Sequence, residues 1–338
     1  MSTESNITIW LRPHFWAVLL CCATFPLIWV GGLVTTTEAG MAVPDWPTTY
    51  GYNMFLYPWQ TWMFGPWDLF IEHGHRLLGS VSGLLSIALC VTLWLYDDRR
   101  YARWLGVATL IAVIAQGVLG GLRVQLDQNT LAMIHGCTGP AFFALTAVMA
   151  TITSRWWREA ATQPRGEDHA RIMPLGATTS LLAFLQLTLG AQLRHVPVDA
   201  SPGSFRAMVL LHLMLAVVLA LYVGMLVVRT LRAGRGERLL TRPAHRLAML
   251  FTLQLVLGTG AWVLNYQWPQ WLGEHAWNAA HTNVQEGLPQ VMVTTAHMAV
   301  GSLILVNAVL LTIRSARLLR RPAGHSTTAG SIGLGVAV

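Results

Sequence analysis

The chain carries little charge for its length. Of 338 residues only 11% are Asp, Glu, Lys or Arg, against 54% hydrophobic, which is too few charges for a soluble surface and too many apolar runs for a soluble core. Lysine is absent, so all 22 basic residues are Arg. A net charge of +7 and a pI near 9.7 would suit nucleic acid, but the arginines sit in short connections between apolar segments rather than on one basic face, so no nucleic-acid partner is expected. The four cysteines, Cys21, Cys22, Cys90 and Cys137, fall inside apolar segments, which argues against a disulfide framework and a zinc site. The first apolar run, about 20 residues long, continues into an intact loop without a small-residue cleavage site, so no secretory signal is expected. Glu4 and the scarcity of Arg near the start do not suit a transit peptide. A bacterial plasma membrane is the expected location.

What the chain does have is eight segments without Asp, Glu or Arg: Phe15 to Val34, Leu77 to Tyr96, Trp104 to Leu122, Leu131 to Thr153, Ile172 to Leu193, Ala207 to Val228, Leu247 to Leu264 and Val291 to Ile313. Each is long enough to cross a bilayer as a helix. Counted by connection, 18 arginines fall on one side and four, Arg76, Arg123, Arg194 and Arg206, on the other. This asymmetry places both termini in the cytoplasm. The expected organisation is a cytoplasmic N-terminus (1–14), an N-terminal four-helix half (15–153), a cytoplasmic linker (154–171), a C-terminal four-helix half (172–313) and a cytoplasmic tail (314–338). Pro26, Pro140 and Pro174 are candidate kinks. Two outer loops are long, Thr35 to Ile71 and Asn265 to Gln290, and their Trp and Tyr content suits the headgroup level. The second also holds His275 and His281, whose spacing of six matches no ligand pattern.

An internal repeat runs through these segments. Gln-x-x-Leu-Gly occurs as Gln116 to Gly120, Gln186 to Gly190 and Gln254 to Gly258, each in the outer half of an odd-numbered segment, with a weaker echo at Val30-Gly31-Gly32-Leu33. Every even-numbered segment has one His near its outer end: His75, His135, His212 and His297. A hairpin used four times, or a four-helix unit used twice, accounts for both patterns. The glycines serve helix packing or the close approach of a flat ligand. A lone intramembrane His is more often bonded inside a bundle than a ligand. Four at one depth, within about two turns or roughly 10 Å of the outer surface at 1.5 Å per residue, instead suit two bis-His haem sites inside four-helix bundles. Zinc or copper would want a nearby carboxylate or thiolate, which three of the four lack. The outer arginines are placed to pair with haem propionates or with lipid phosphates.

One stretch concentrates the polar chemistry, Glu72-His73-Gly74-His75-Arg76. On a helix Glu72, His75 and Arg76 share a face, whereas His73 points away from His75. Glu72 is then either a group acting beside a ligand of His75 or a salt-bridge partner for Arg76.

Gly31-Gly32-Leu33-Val34-Thr35-Thr36-Thr37, Val43-Pro44-Asp45-Trp46-Pro47 with Thr49-Tyr50-Gly51, Glu72-x-x-His75-Arg76 and the single His of segments four, six and eight together resemble the haem A synthase family. The resemblance covers about Pro26 to Ile313. It implies an all-α polytopic membrane protein whose eight transmembrane helices form two pseudo-symmetric four-helix bundles. It also implies an oxidoreductase that converts the C8 methyl of haem O to the formyl group of haem A by successive hydroxylations, for cytochrome oxidase biogenesis. By position, His212, His297 and Arg206 match the haem B cofactor site; His75, His135, Arg76 and Arg123 match the substrate haem site; and Glu72 matches the catalytic carboxylate. The four histidines would be axial ligands of haem iron. Implied partners are haem O, haem O synthase, cytochrome oxidase assembly factors, membrane lipid and further copies of the chain. Many bacterial members carry a Cys pair in the first outer loop and some in the third. Here Thr35 to Ile71 and Arg194 to Arg206 have none, so thiol-mediated transfer is not expected.

Two other classes compete. A bis-His b-type cytochrome spanning the bilayer would place one haem near each face, yet all four histidines lie at the outer end. A haem or quinone transporter would want midplane charge, which the segments lack.

Overall fold

The computed structural model describes residues 9–160, 171–196, 200–233, 237–266 and 287–318. Eight helices dominate: α1 (Pro13–Thr36), α2 (Trp67–Tyr96), α3 (Arg100–Leu126), α4 (Asn129–Ile152), α5 (Ile172–Arg194), α6 (Pro202–Ala233), α7 (Arg238–Tyr266) and α8 (Leu288–Leu318). All eight are long and apolar enough to cross a membrane. The chain is an all-α, multi-pass membrane protein. His275, His281, Trp268, Trp271, Trp277 and the far tail lie outside the described residues.

The helices overrun the apolar segments read from sequence. Helix α2 begins at Trp67 instead of near Leu77, because Asp68 suits a helix N-terminus and Glu72 pairs with Arg76 one turn later, so neither charge stops the helix. Pro13 and Pro202 open their helices, where a missing N–H removes no helical bond. Pro26, Pro140 and Pro243 lie inside helices. Pro174 is only the third residue of α5, so it sits in a first turn and is no interior kink. Hydroxyls within the spans donate to carbonyls one turn back, as with Thr24 to Leu20 at 2.7 Å, Ser86 to Ser82 at 2.8 Å and Thr179 to Leu175 at 2.7 Å. Polar side chains are thereby tolerated where water is excluded.

In the N-terminal half α1 packs on α2 and α4, and α3 packs on α2 and α4. The C-terminal half repeats this: α5 packs on α6 and α8, and α7 packs on α6 and α8. The two rings meet through α1 with α8, α4 with α8 and α4 with α5. Leu20, Leu89, Leu93 and Met149 are buried inside the first ring. Phe143, Ala144 and Ala147 of α4 join Leu226, Leu247 and Ile304 in one apolar cluster across the seam. Since lipid competes equally for apolar side chains, close packing holds this seam, and Gly32 of α1 lying against Met298 and Thr295 of α8 shows the closeness. The outward rows, such as Leu84, Ile87 and Val91 on α2 and Met214, Val217 and Leu221 on α6, stay exposed and face lipid.

At the Arg-rich end Asp97 is buried between Arg99, at 2.7 Å, and Arg158, at 3.4 Å. Burial pulls its carboxyl upward, but the hydrogen bonds and charge of Arg99 and the charge of Arg158 prevail and hold it below the usual carboxylate value.

Candidate functional site

At the end opposite the Arg-rich one each odd-numbered helix sets a glycine against the histidine of the next. A Cβ at Gly31 would lie 2.8 Å from His75 Cε1, at Gly120 3.3 Å from His135, at Gly190 3.5 Å from His212 and at Gly258 2.8 Å from His297. The weak echo in the first segment therefore occupies the same role as the three clear repeats. The residue four before each glycine also meets the ring. Main-chain groups of Leu27, Gln116 and Gln254 lie near the rings of His75, His135 and His297. Gln186 Nε2 lies 3.0 Å from both the carbonyl and the Nε2 of His212. Gln254 Nε2 approaches His297 Nε2 at 3.4 Å, while Gln116 turns to Thr138 Oγ1 at 2.5 Å.

The four rings share one deficit. Nδ1 of His75, His135, His212 and His297 is buried with no hydrogen-bond partner, and Oε1 of Gln186 and of Gln254 is in the same condition. Such orphans call for a missing partner. His75 and His135 face each other with ring centroids 6.3 Å apart and planes at 84°. Two metal–imidazole bonds of about 2 Å each plus the two ring radii reach roughly that separation. His212 lies close enough for its charge to act on His297. No cluster of three or more His, Cys, Asp or Glu suited to a bare ion exists among the described residues. Paired histidines with buried orphan nitrogens, each ring seated against a glycine that makes room for it, fit a haem, whose macrocycle supplies the other four ligands.

The first outer loop folds onto this end of the N-terminal ring. Thr48–Thr49 and Tyr52–Asn53 pair antiparallel around Tyr50 and Gly51, both at positive φ (49° and 79°), the geometry of a tight hairpin turn. Asp45 accepts from Tyr50 N at 2.7 Å and Gly51 N at 2.8 Å. Its carboxyl sits below the usual value because bonds from Thr48, Gly51 and Tyr50 outweigh the upward pull of burial. The Trp46 indole lies on Gly121, next to the glycine that faces His135, and Gln125 Nε2 donates to Trp46 O at 2.7 Å. Trp59, Phe64 and Trp67 stay exposed, as expected at a headgroup layer.

Glu72 and Arg76 lock the loop in place. Glu72 is 3% exposed; its Oε2 accepts from Val43 N at 2.8 Å and its Oε1 from Arg76 at 2.8 Å. Arg76 further donates to Asp45 O at 2.6 Å, Thr48 O at 3.1 Å and Val43 O at 2.7 Å. Four of its five N–H groups are thus engaged. The contacts of Arg76 tie Glu72 to the loop, since Glu72 at i−4 draws the guanidinium up toward the loop carbonyls. His73 turns the other way, as its helical position requires. It is buried on Thr49 Oγ1 at 3.2 Å, with Tyr57 and Trp62 ring centroids at 5.4 and 5.2 Å.

The remaining outer arginines separate. Arg123 donates to Gly40 O, and its charge acts on both His75 and His135. Arg206 is exposed in the first turn of α6. Arg194 reaches across the seam from α5 to Thr36 Oγ1 and, at 3.3 Å, to Gly32 O of α1, and within its own ring to Met298 Sδ at 3.4 Å, a position nothing in the sequence pattern singles out beyond its place at a helix end. Beside it, His195 is pushed down to about 4 by burial first and then by the charges of Arg194 and Arg123, so it is neutral at physiological pH.

Residues 14–198 match the model of the family COX15-CtaA, described as cytochrome oxidase assembly protein. Glu72, Arg76, Arg123, His75 and His135 lie within that match, and Arg206, His212 and His297 lie beyond it. Among curated proteins, the Heme A synthase of Exiguobacterium sibiricum is 28% identical over 270 residues, 73% of this chain and 81% of that protein. The Heme A synthase of Shouchella clausii is 26% identical over 70% of this chain and 81% of its own length. That of Listeria monocytogenes is 29% identical over 43% of this chain and 45% of its own.

Proposed function

The chain belongs to the cytochrome oxidase assembly protein family, and from that membership we propose that it is a haem A synthase, an oxidoreductase acting on haem O. Support comes from the names of several relatives together with a site made of paired buried histidines.

In this reading His75 and His135 hold haem O as substrate, and His212 and His297 hold haem B as cofactor. A bound haem supplies one-electron redox chemistry, tuned by its axial ligands and by burial. The observation that carries the division of labour is Glu72. Three residues before His75 the chain has a buried, oriented carboxylate, whereas the matching positions before His135, His212 and His297 are Ala132, Val209 and Thr294. Only the N-terminal pair has an acid–base group on the ligand's own helix. Glu72, fixed at both oxygens, is placed to hold or take a proton as the C8 methyl is hydroxylated twice, each step passing two electrons to an external acceptor, and the gem-diol loses water. Arg123 is the propionate partner for this pair, with Arg76 as the group that orients Glu72; Arg206 serves the C-terminal pair. The Arg-rich end faces the cytoplasm of a bacterial plasma membrane, and haem O synthase and cytochrome oxidase assembly factors are the expected neighbours.

The test is the haem content of the purified protein by pyridine haemochrome and mass analysis. Haem B together with haem O, hydroxylated haem O or haem A is expected, and two haem B per chain would sink the reading in favour of an electron-transfer cytochrome. Glu72→Ala should keep bound haem and lose haem A formation; normal haem A accumulation would remove Glu72 from the chemistry.

A further inference from the structure

At the end of the molecule remote from the histidines, a cavity of about 370 Å³ opens between the two rings, within the range of about 300 to 1,000 Å³ that small-ligand pockets occupy. Its walls are largely apolar, formed by Cys21 of α1, Ala147 of α4, and Val306 and Leu310 of α8. Arg314 of α8 and Ser154 stand in the same lining. Ser154 already donates to Thr151 O at 2.6 Å and accepts from Trp157 N at 3.2 Å. Arg314 is not provided for in this way. Its Nη1 has one long bond to Leu239 O at 3.3 Å, and its Nε is buried without a partner. The Trp156 ring, 6.0 Å from its Cζ, gives a cation–π contact at the limit of useful range. Among the described residues the charged group acting on Arg314 is another cation, Arg246, and no carboxylate bridges it.

A guanidinium drawn into an apolar cleft beside a second arginine needs a counter-charge, because unpaired charge away from water is costly. We propose that this cavity binds one anionic phospholipid, with an acyl chain along the Cys21, Ala147, Val306 and Leu310 wall and the headgroup phosphate accepting from Arg314 Nε. Two features select this occupant. The wall gives a free phosphate nothing to displace water from it, whereas an acyl chain fills it with apolar contact. The two arginines oppose the cationic part of a zwitterionic headgroup and favour a net negative one. The ligand then lies at the junction of α1, α4, α7 and α8, so it fastens one ring to the other at the end opposite the haem sites.

Native mass spectrometry of the delipidated protein in neutral detergent tests this without reference to activity. Phosphatidylglycerol is expected to bind about 30-fold more tightly than phosphatidylcholine of the same acyl chains, the effect of two arginines near a phosphate. Arg314→Gln should cut that preference to about 5-fold, the effect of one arginine, and Arg314→Lys should retain more of it. Val306→Trp fills the apolar wall while leaving the charge, and should weaken binding of both lipids, which keeps the proposal testable if Arg314→Gln does not fold. Equal binding of the two lipids, unchanged preference in Arg314→Gln, unchanged binding in Val306→Trp, or displacement of the lipid by millimolar inorganic phosphate would each overturn it.

Discussion

Replacing Arg76 tests whether the first outer loop is held by Glu72 and Arg76 together. Arg76→Lys keeps a positive charge near Glu72 but has one nitrogen in place of a planar fork, so it cannot serve three carbonyls and a carboxylate at once. The wild-type side chains are 9% and 4% exposed, so solvent screens the pair weakly, and removing one member of such a pair, as Arg76→Ala does, costs about 3 to 5 kcal/mol, with a smaller loss for Arg76→Lys. At 1.4 kcal/mol per factor of ten, the loop of Arg76→Ala should open about 100- to 4,000-fold more often. Hydrogen exchange reads this directly. The amides of Val43, Tyr50 and Gly51 are bonded to Glu72 and Asp45, and a peptide spanning residues 38–56 should lose two or more powers of ten of protection. Haem content should change little, because His75 and His135 are untouched, while haem A formation falls with the loss of Glu72 orientation. Wild-type protection in both Arg76→Lys and Arg76→Ala would refute the lock.

Four further substitutions follow from the contacts of the glycines and of Asp97. At Gly190 an added methyl meets His212 at 3.5 Å, ordinary contact, whereas at Gly31 and Gly258 it meets the ring at 2.8 Å; Gly190→Ala should keep its haem and gain up to about 1 kcal/mol from helix propensity, while Gly31→Ala and Gly258→Ala each lose haem from one pair. Equal haem per chain by pyridine haemochrome in all three variants would show that these glycines do not set the rings. Asp97→Asn should cost about 1 to 3 kcal/mol at pH 7, discounted because Arg99 and Arg158 are 23% and 38% exposed. As the folded carboxyl lies below its unfolded value, its contribution is present above about pH 4 and is lost as pH falls through the folded value. Thermal melts of wild type and variant should therefore converge in acid and separate toward neutrality, and parallel curves would count against the assignment.

The spans, the Arg asymmetry and the four histidines were legible because each depends on residue type alone, read at helical spacing. The Glu72, His75 and Arg76 face was legible for the same reason. The first segment looked like a poor repeat because Leu27 stands where the others have Gln. Yet it is a main-chain group of Leu27 that lies near the His75 ring, and a main-chain neighbour leaves no mark on residue choice. The loop lock was hidden likewise: Arg76 meets the carbonyls of Val43, Asp45 and Thr48, which any residues would supply. In the sequence His73 is marked only as pointing away from His75; its burial against Thr49, Tyr57 and Trp62 depends on a loop path that helical periodicity does not encode.

If four hairpins hold histidine in one way, what separates a pair that presents a substrate from a pair that retains a cofactor must lie outside the ligands. Val209 occupies the position in α6 that Glu72 occupies in α2, and Leu213 stands where α2 has Arg76. Val209 is 5% exposed, so Val209→Glu would bury a carboxylate with no guanidinium one turn away and none of the loop N–H groups that hold Glu72. Such a charge costs several kcal/mol. The variant should therefore melt well below wild type and lose haem from the His212 and His297 pair, and the double variant Val209→Glu with Leu213→Arg should recover part of the loss. Wild-type stability in Val209→Glu alone would mean that a carboxylate at this position needs no lock, and Glu72 would then owe its placement to something other than Arg76 and the loop.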